Sequence, residues 1–243
     1  MPSYNANAIN LKSSPFGEAD KILTLFSSDY GKIKAIAKGA RRPGSKFGGR
    51  LEILAYNLYH LGSGRGLDIV SQCETIHSFY GIRKDPKKLA PSVYLLKLVD
   101  GTTFEGQRNS EIFDLLLDSL KLLEGGISPE VLVKIFEIKL IDAEGFFPAL
   151  DRCVRCGKKV KVAPKKVNFN HALKGIICSN CRKLILEGVE IPYSDAALMM
   201  KIREMPLLEL GSFRMDGQEV ERLDILLSPY ISDHVGEDVS LWK

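Results

Sequence analysis

Apolar and polar positions change rhythm once along this chain. Before residue 86 the apolar residues recur every second position over short stretches, the period of strands with one buried face. In Lys21–Ser27 the pattern places Ile22, Thr24 and Phe26 on one face and Leu23 and Leu25 on the other. In Lys32–Lys38 it places Ile33, Ala35 and Ala37 inward and Lys32, Lys34 and Lys38 outward with Ile36. Ala8–Lys12, Ile53–Leu61 and Leu67–Gln72 complete a set of five short strands. Turns fall at Pro15-Phe16-Gly17, at Asp29-Tyr30-Gly31 and at the glycine-rich Gly62–Gly66. Five short strands leave exposed edges unless the sheet closes, and a five-stranded closed barrel has the size of an OB-fold. An SH3-like barrel reads much the same.

After residue 86 the period becomes helical. Pro86 opens a segment with Leu89, Val93, Leu96 and Val99 on one stripe. Asn109 or Ser110 caps the next, which carries Ile112, Leu116, Leu120 and Leu123 and stops at Gly125-Gly126. Ser128-Pro129 starts a third, running through Leu132, Ile135, Phe136 and Leu140 to Gly145; proline suits the first helical turn, where its missing N–H costs nothing. Segments near 194–205 and 217–232 read as helices too. Such stripes must be buried against one another, so the fold class is multidomain α+β, a barrel followed by a helical region.

Between the helical stretches stand Cys153-Val-Arg-Cys156 and Cys178-Ser-Asn-Cys181, with 21 residues between the two pairs. Each pair aims two thiolates at one point, and two pairs complete a tetrahedral sulfur cage of the kind that binds zinc; iron is the rival for any four-sulfur site. A full cage leaves no open position for water, so the expected role is structural. Lys165–Phe169 and Gly175–Ile177 fit the hairpin of a zinc ribbon. His171 reads as solvent-facing rather than as a substitute ligand, and Cys73 as a buried small hydrophobe.

Composition then narrows the function classes. The 243 residues are 45% apolar and 26% charged, which suits folded domains. No run approaches the roughly 20 apolar residues of a membrane span, and Met1-Pro2-Ser3-Tyr4-Asn5 lacks the basic and apolar regions of a secretory signal. A cytosolic protein is expected. The net charge of +4 is unevenly spread: residues 31–50 contain Lys32, Lys34, Lys38, Arg41, Arg42, Lys46 and Arg50 and no acid. That field suits a polyanion, and Phe47 with Tyr56 or Tyr59 offers surfaces on which unpaired bases can stack. A Walker phosphate loop, an H-E-x-x-H pair, a deaminase signature and a G-x-S-x-G nucleophile are all missing, so nothing points to an enzyme.

Three stretches carry a family resemblance. Phe16-Gly17-Glu18-Ala19-Asp20-Lys21-Ile22-Leu23-Thr24-Leu25-Phe26, then Tyr30-Gly31-Lys32 and Ala37-Lys38-Gly39-Ala40-Arg41-Arg42, resemble the N-terminal signature of the RecO family of bacterial recombination mediators. The likeness continues through Lys46-Phe47-Gly48-Gly49, and the helical region and four cysteines follow in the family's order. The resemblance implies an OB-fold over 1–80 and an α-helical domain over 81–243 with a four-cysteine zinc module inserted at 153–186. It implies a non-enzymatic, cytoplasmic, nucleoid-associated protein that binds single- and double-stranded DNA and anneals complementary strands. With RecR it would help load RecA onto strands coated by single-stranded DNA-binding protein, whose acidic tail some members bind in the helical domain. The matching residues Lys34, Lys38, Arg41, Arg42, Lys46 and Arg50 are the expected DNA contacts, and Cys153, Cys156, Cys178 and Cys181 the expected zinc ligands. Two alternatives stand beside this: an RNA-binding or ribosome-associated OB/zinc-ribbon protein, and a scaffold whose basic loop is incidental.

Overall fold

A computed structural model describes residues 2–160, 165–184 and 187–235. The expected end of the zinc module at 186 and the C-terminal end of the helical domain lie outside these residues. The chain divides into two compact units, residues 1–129 and 130–241.

The first unit is built on five strands: β1 (Ser3–Phe16), β2 (Asp20–Ser27), β3 (Gly31–Ala37), β4 (Tyr56–Gly62) and β5 (Asp68–His77). They close into a barrel in the order β1-β2-β3-β5-β4. β1 serves two neighbours: Ser3–Ile9 pairs with β4 and Ala8–Phe16 with β2. Its register shifts between Asn10 and Lys12, a bulge that bends one strand around the barrel. The seam is the parallel pairing of β3 and β5, limited to Ala35↔Asp68 and Ile36↔Ile69. Inside, small residues on β1 and β3 (Ala6, Ala8, Ala35, Ala37) face larger ones on β2 and β4 (Leu23, Leu25, Tyr59, Leu61). Mixing small and large side chains fills a narrow interior without voids.

Helices α1 (Tyr80–Lys84), α2 (Pro86–Thr102) and α3 (Ser110–Glu124) complete this unit. Asp85 caps α2 by accepting from Lys87 N, and Asn109 Oδ1 accepts from Ile112 N at 3.0 Å. Phe26, on the outward face of β2, packs against Phe113 of α3 with ring centroids 6.1 Å apart.

The alternation located the strands but misjudged some ends. β1 starts at Ser3 rather than Ala8 and runs through Pro15 to Phe16, where a turn at Pro15-Phe16-Gly17 is expected, and β5 extends to His77 although Gln72 and Glu74–His77 are exposed and carry no alternation. β4 begins at Tyr56, because residues 48–55 form a short 3-10 helix and turns rather than strand.

In the second unit α4 (Pro129–Ala143) precedes the cysteine-bearing segment. There β6 (Lys166–Asn170) and β7 (Gly175–Ile177) form the expected hairpin, and α5 (Ser179–Arg182) follows. A third strand, β8 (Val189–Pro192), extends the sheet in the order β7-β6-β8, which the sequence reading did not foresee. α6 (Tyr193–Glu204) and α7 (Gly217–Val235) follow. Buried Lys134 of α4 donates to Glu137 at 2.7 Å and to Asp224 of α7 at 2.8 Å, so a paired charge ties two helices together. None of the described helices is long and apolar enough to cross a membrane.

Candidate nucleic-acid interface and metal centre

The basic residues expected as DNA contacts fall into two electrostatic classes. Lys38, Arg41, Arg42, Lys46 and Arg50 lie exposed at the end of β3 and on the loop that leaves it. Three of them donate to backbone carbonyls: Arg41 Nη1 to Gly17 O at 3.1 Å, Lys46 Nζ, which also lies 5.2 Å from the Phe47 ring centroid, to Ser71 O at 2.6 Å, and Arg50 Nη1 to Lys46 O at 2.8 Å. A carbonyl fixes direction without cancelling charge, so these groups keep their field.

Lys34 belongs to the other class. Its Nζ lies 2.5 Å from Glu105 Oε1, and that contact raises its pKa. Lys32 and Lys12 share Asp100, at 2.9 and 2.5 Å. Burial alone would raise the Asp100 pKa, but hydrogen bonds and charge from Lys12 and Lys32 outweigh it and hold the carboxyl below its usual range. The partners come from the end of α2 and the segment behind it, which runs along β3: Gly106 N donates to Lys32 O at 3.1 Å. Gly31 permits the approach, since a Cβ there would stand 2.0 Å from Gln107 O.

The loop is held from within. Asn10 Nδ2 donates to Leu51 O and Glu52 O at 2.6 and 3.1 Å, and Asn57 Nδ2 to Arg50 O at 2.8 Å. Asp20 accepts from Gly39 N at 2.7 Å, and Arg41 N donates to Ala19 O at 2.8 Å, which binds the start of the loop to the β1–β2 turn. In OB-folds that turn, the face of strands 2 and 3 and the loop between strands 4 and 5 are the usual oligonucleotide surface.

The expected stacking residues are corrected by this geometry. Phe47 is only 2% exposed and fills the barrel, and Tyr59 is fully buried. Tyr56 packs edge-on against Phe113 at 5.9 Å. Their rings do the work of a core. Phe16, 50% exposed beside the carbonyl that Arg41 contacts, is the aromatic the sequence reading overlooked. Its signal was its place next to glycine at a hairpin end, where no core position exists for it. Cys73 is buried as expected. Burial pushes its thiol up to about 11, against the opposing Arg50 charge and Tyr59 hydrogen bond, so it is a poor nucleophile.

The four remaining cysteines converge. The Sγ atoms of Cys153, Cys156, Cys178 and Cys181 all lie within 4.8 Å of one another, with Cys156 and Cys178 3.8 Å apart. The first pair is anchored through Cys153 N to Lys158 O at 2.9 Å and Val154 N to Ile176 O at 3.0 Å. Gly175 admits it, because a Cβ there would meet Val154 Cγ1 at 2.5 Å. The second pair sits at α5, where Arg182 N donates to Cys178 O at 2.9 Å. Burial opposes ionisation of Cys153, but backbone N–H donors of Cys178, Cys156 and Arg155 and the Cys156 thiol lower its pKa to about 6. Burial and the neighbouring thiols push Cys181 up to about 12. Four thiols this close repel once ionised, and a divalent ion at their centre removes that repulsion; the donor set fits one soft cation. His171 neither joins the set nor faces solvent freely: its Nε2 lies 3.1 Å from Leu226 O and its ring meets Phe169 edge-on.

Comparison with known proteins agrees over nearly the whole length. The family described as Recombination protein O N terminal matches residues 1–79, and Recombination protein O C terminal matches residues 83–242. A DNA repair protein RecO of Pelotomaculum thermopropionicum is 34% identical over 98% of this chain and 92% of its own. Those of Symbiobacterium thermophilum and Caldicellulosiruptor saccharolyticus are 33% and 32% identical, over 95% and 99% of this chain and 92% and 97% of theirs.

Proposed function

As the chain belongs to the RecO family of DNA repair proteins, we propose that it is a non-enzymatic recombination mediator that binds DNA through the loop leaving β3 and anneals complementary strands. The observation that carries this reading is the run of five exposed cations over 38–50, none of which is paired with a carboxylate among the described residues. Two polyanionic strands repel each other. A surface that neutralises phosphates lowers that repulsion and releases counterions, and base pairing then finds register without any bond being made or broken. Lys38, Arg41, Arg42, Lys46 and Arg50 are the phosphate contacts, and Phe16 is the platform for an unpaired base. Lys34 joins them only by exchanging Glu105 for a phosphate.

The four-cysteine site takes one zinc ion, held by Cys153, Cys156, Cys178 and Cys181. That ion supplies folding energy to its module and no catalysis. The protein acts in the bacterial cytoplasm at the nucleoid. Together with RecR it loads RecA onto strands coated by single-stranded DNA-binding protein, whose acidic tail docks on the helical domain.

The test is annealing of complementary fluorescent oligonucleotides precoated with single-stranded DNA-binding protein, with structured RNA as competitor. Acceleration that RNA competes only weakly supports the reading. Absence of DNA binding, or preference for RNA, overturns it.

A further inference from the structure

The unit spanning residues 130–241 carries a basic surface of its own, built around the cysteine pairs. A cleft of 330 Å³ opens between the turn after the first pair, with Lys158 and Lys159, and the second pair, with Ser179, Asn180 and Arg182. Lys166 of β6 stands on its wall. One carboxylate lines it: Glu190 accepts from Lys166 at 2.9 Å and from Arg182 at 3.0 Å, so it balances one of two charges, while the nearby Asp151, whose charge Lys159 also feels, is paired with Arg152. Lys158 and Lys159 form no ion pair among the described residues, nor do Arg155, Lys165 and Lys183, and all five are exposed.

Cations gathered this closely repel one another, and a ribbon that needed only to fold would spread them or pair them. Here they follow the cysteines directly: Lys158 and Lys159 come two and three residues after Cys156, and Arg182 and Lys183 come directly after Cys181. The convergence of the four thiols therefore fixes the convergence of the charges. Ser179 and Asn180 add neutral donors beside them. Spaced cations with interleaved hydroxyl and amide groups match the repeating phosphates and sugar oxygens of a nucleic-acid backbone.

We propose that this cleft is a second nucleic-acid-binding surface, which holds one strand while the barrel loop holds another, so that a single chain carries two strands at once. This rests on the annealing reading above and extends it. A single basic loop can grip one strand. Pairing two of them within one protein needs a second grip, and the second unit has one.

The experiment uses the full-length, zinc-loaded chain and two non-complementary DNA strands carrying different dyes. Coincident detection reports whether a chain already saturated with one strand captures the other. The variant Lys158→Glu/Lys159→Glu/Lys183→Glu is expected to keep its zinc content, to lose no more than about threefold in affinity for a first strand, and to lose tenfold or more in second-strand capture and annealing rate. Should that variant lose zinc, the neutral pair Lys158→Gln/Lys159→Gln replaces it, with an expected loss of about threefold in capture. Unchanged capture and annealing with zinc retained overturns the proposal. A wild-type chain that binds one strand through the barrel loop but never two also overturns it and leaves the parent reading standing. A wild-type chain that binds no DNA at all defeats the parent reading instead.

Discussion

Lys32 Nζ sits 2.9 Å from Asp100 Oδ1 and donates to the same residue's carbonyl oxygen at 2.5 Å, across 68 positions of sequence. With Lys12 on the same carboxylate and Lys34 on Glu105, two carboxylates offset most of the charge on the strand face of the basic region, while the loop beyond Lys38 has no such partner. The surface offered to a polyanion is thus smaller than the run of basic residues suggests, and it is concentrated on the loop.

Removing the carboxylate at 105 should enlarge that surface. Glu105→Gln frees the exposed Lys34 and is expected to raise single-stranded DNA affinity a few-fold at low salt. It should also steepen the salt dependence by about 0.7 in logarithmic slope, the increment of one phosphate contact. Fluorescence anisotropy titrations across a salt series measure both.

Reversing the loop charges should do the opposite. With five phosphates neutralised, the wild-type slope is expected near −3.5, and Arg41→Glu/Arg42→Glu/Lys46→Glu should bring it to about −1.4 or flatter. Affinity should fall tenfold or more, with no dependence on base sequence. A variant whose slope and affinity match wild type removes the loop from the interface.

The two phenylalanines of this region should separate cleanly. Phe16→Ala is expected to cost about 1–3 kcal/mol of single-strand binding and leave the melting temperature unchanged. Phe47→Ala empties the barrel core and is expected to cost about 3–5 kcal/mol of stability. Paired melting curves and binding isotherms on both variants decide it.

Asp100 gives a pH signature. Its native pKa lies below the ordinary carboxylate value, so the folded state holds its proton less tightly than the unfolded chain does. The stabilisation it supplies is complete above the unfolded value of about 3.9 and is lost as pH falls through the lower native value. The melting temperatures of wild type and Asp100→Asn should therefore differ at neutral pH and converge on acidification below about pH 4. A constant gap across that range contradicts the assignment.

Chelation addresses the cysteine site. Removing the metal, or substituting Cys153→Ser, should unfold the module around it, since zinc contributes on the order of 10–16 kcal/mol to small four-ligand domains. Limited proteolysis should then cut between residues 153 and 184, while first-strand binding by the barrel loop persists. Metal analysis of the purified protein should give zinc at one per chain.

Much of this was legible in advance because it is local. Strand alternation at 21–27 and 32–37, the Asn109 cap and the stop at Gly125-Gly126 each depend on residues within one turn or strand of each other. The cysteines were legible for the same reason, arriving as two short pairs. What escaped was set by distant partners. α1 starts after Phe79, which takes a left-handed conformation at φ 48° while buried, and no pattern in the chain signals that. β8 is a strand only because β6 is there to receive it. Lys34 loses its independence to Glu105 because the segment after α2 folds back along β3, which the alternation of β3 alone does not encode.

The short seam between β3 and β5 has its own consequence. Only two residue pairs join those strands, and Phe47 and Leu51 from the segment between β3 and β4 pack into the same barrel core. The stopper of the barrel and the cations proposed to contact DNA are therefore one piece of chain, with Phe47 lying directly after Lys46 and Leu51 directly after Arg50. Surface loops ordinarily absorb insertions and deletions at little cost. This one cannot: a single residue added between Ser45 and Leu51 would pull the stopper out or turn the cations away, so its length is as constrained as that of any strand beside it.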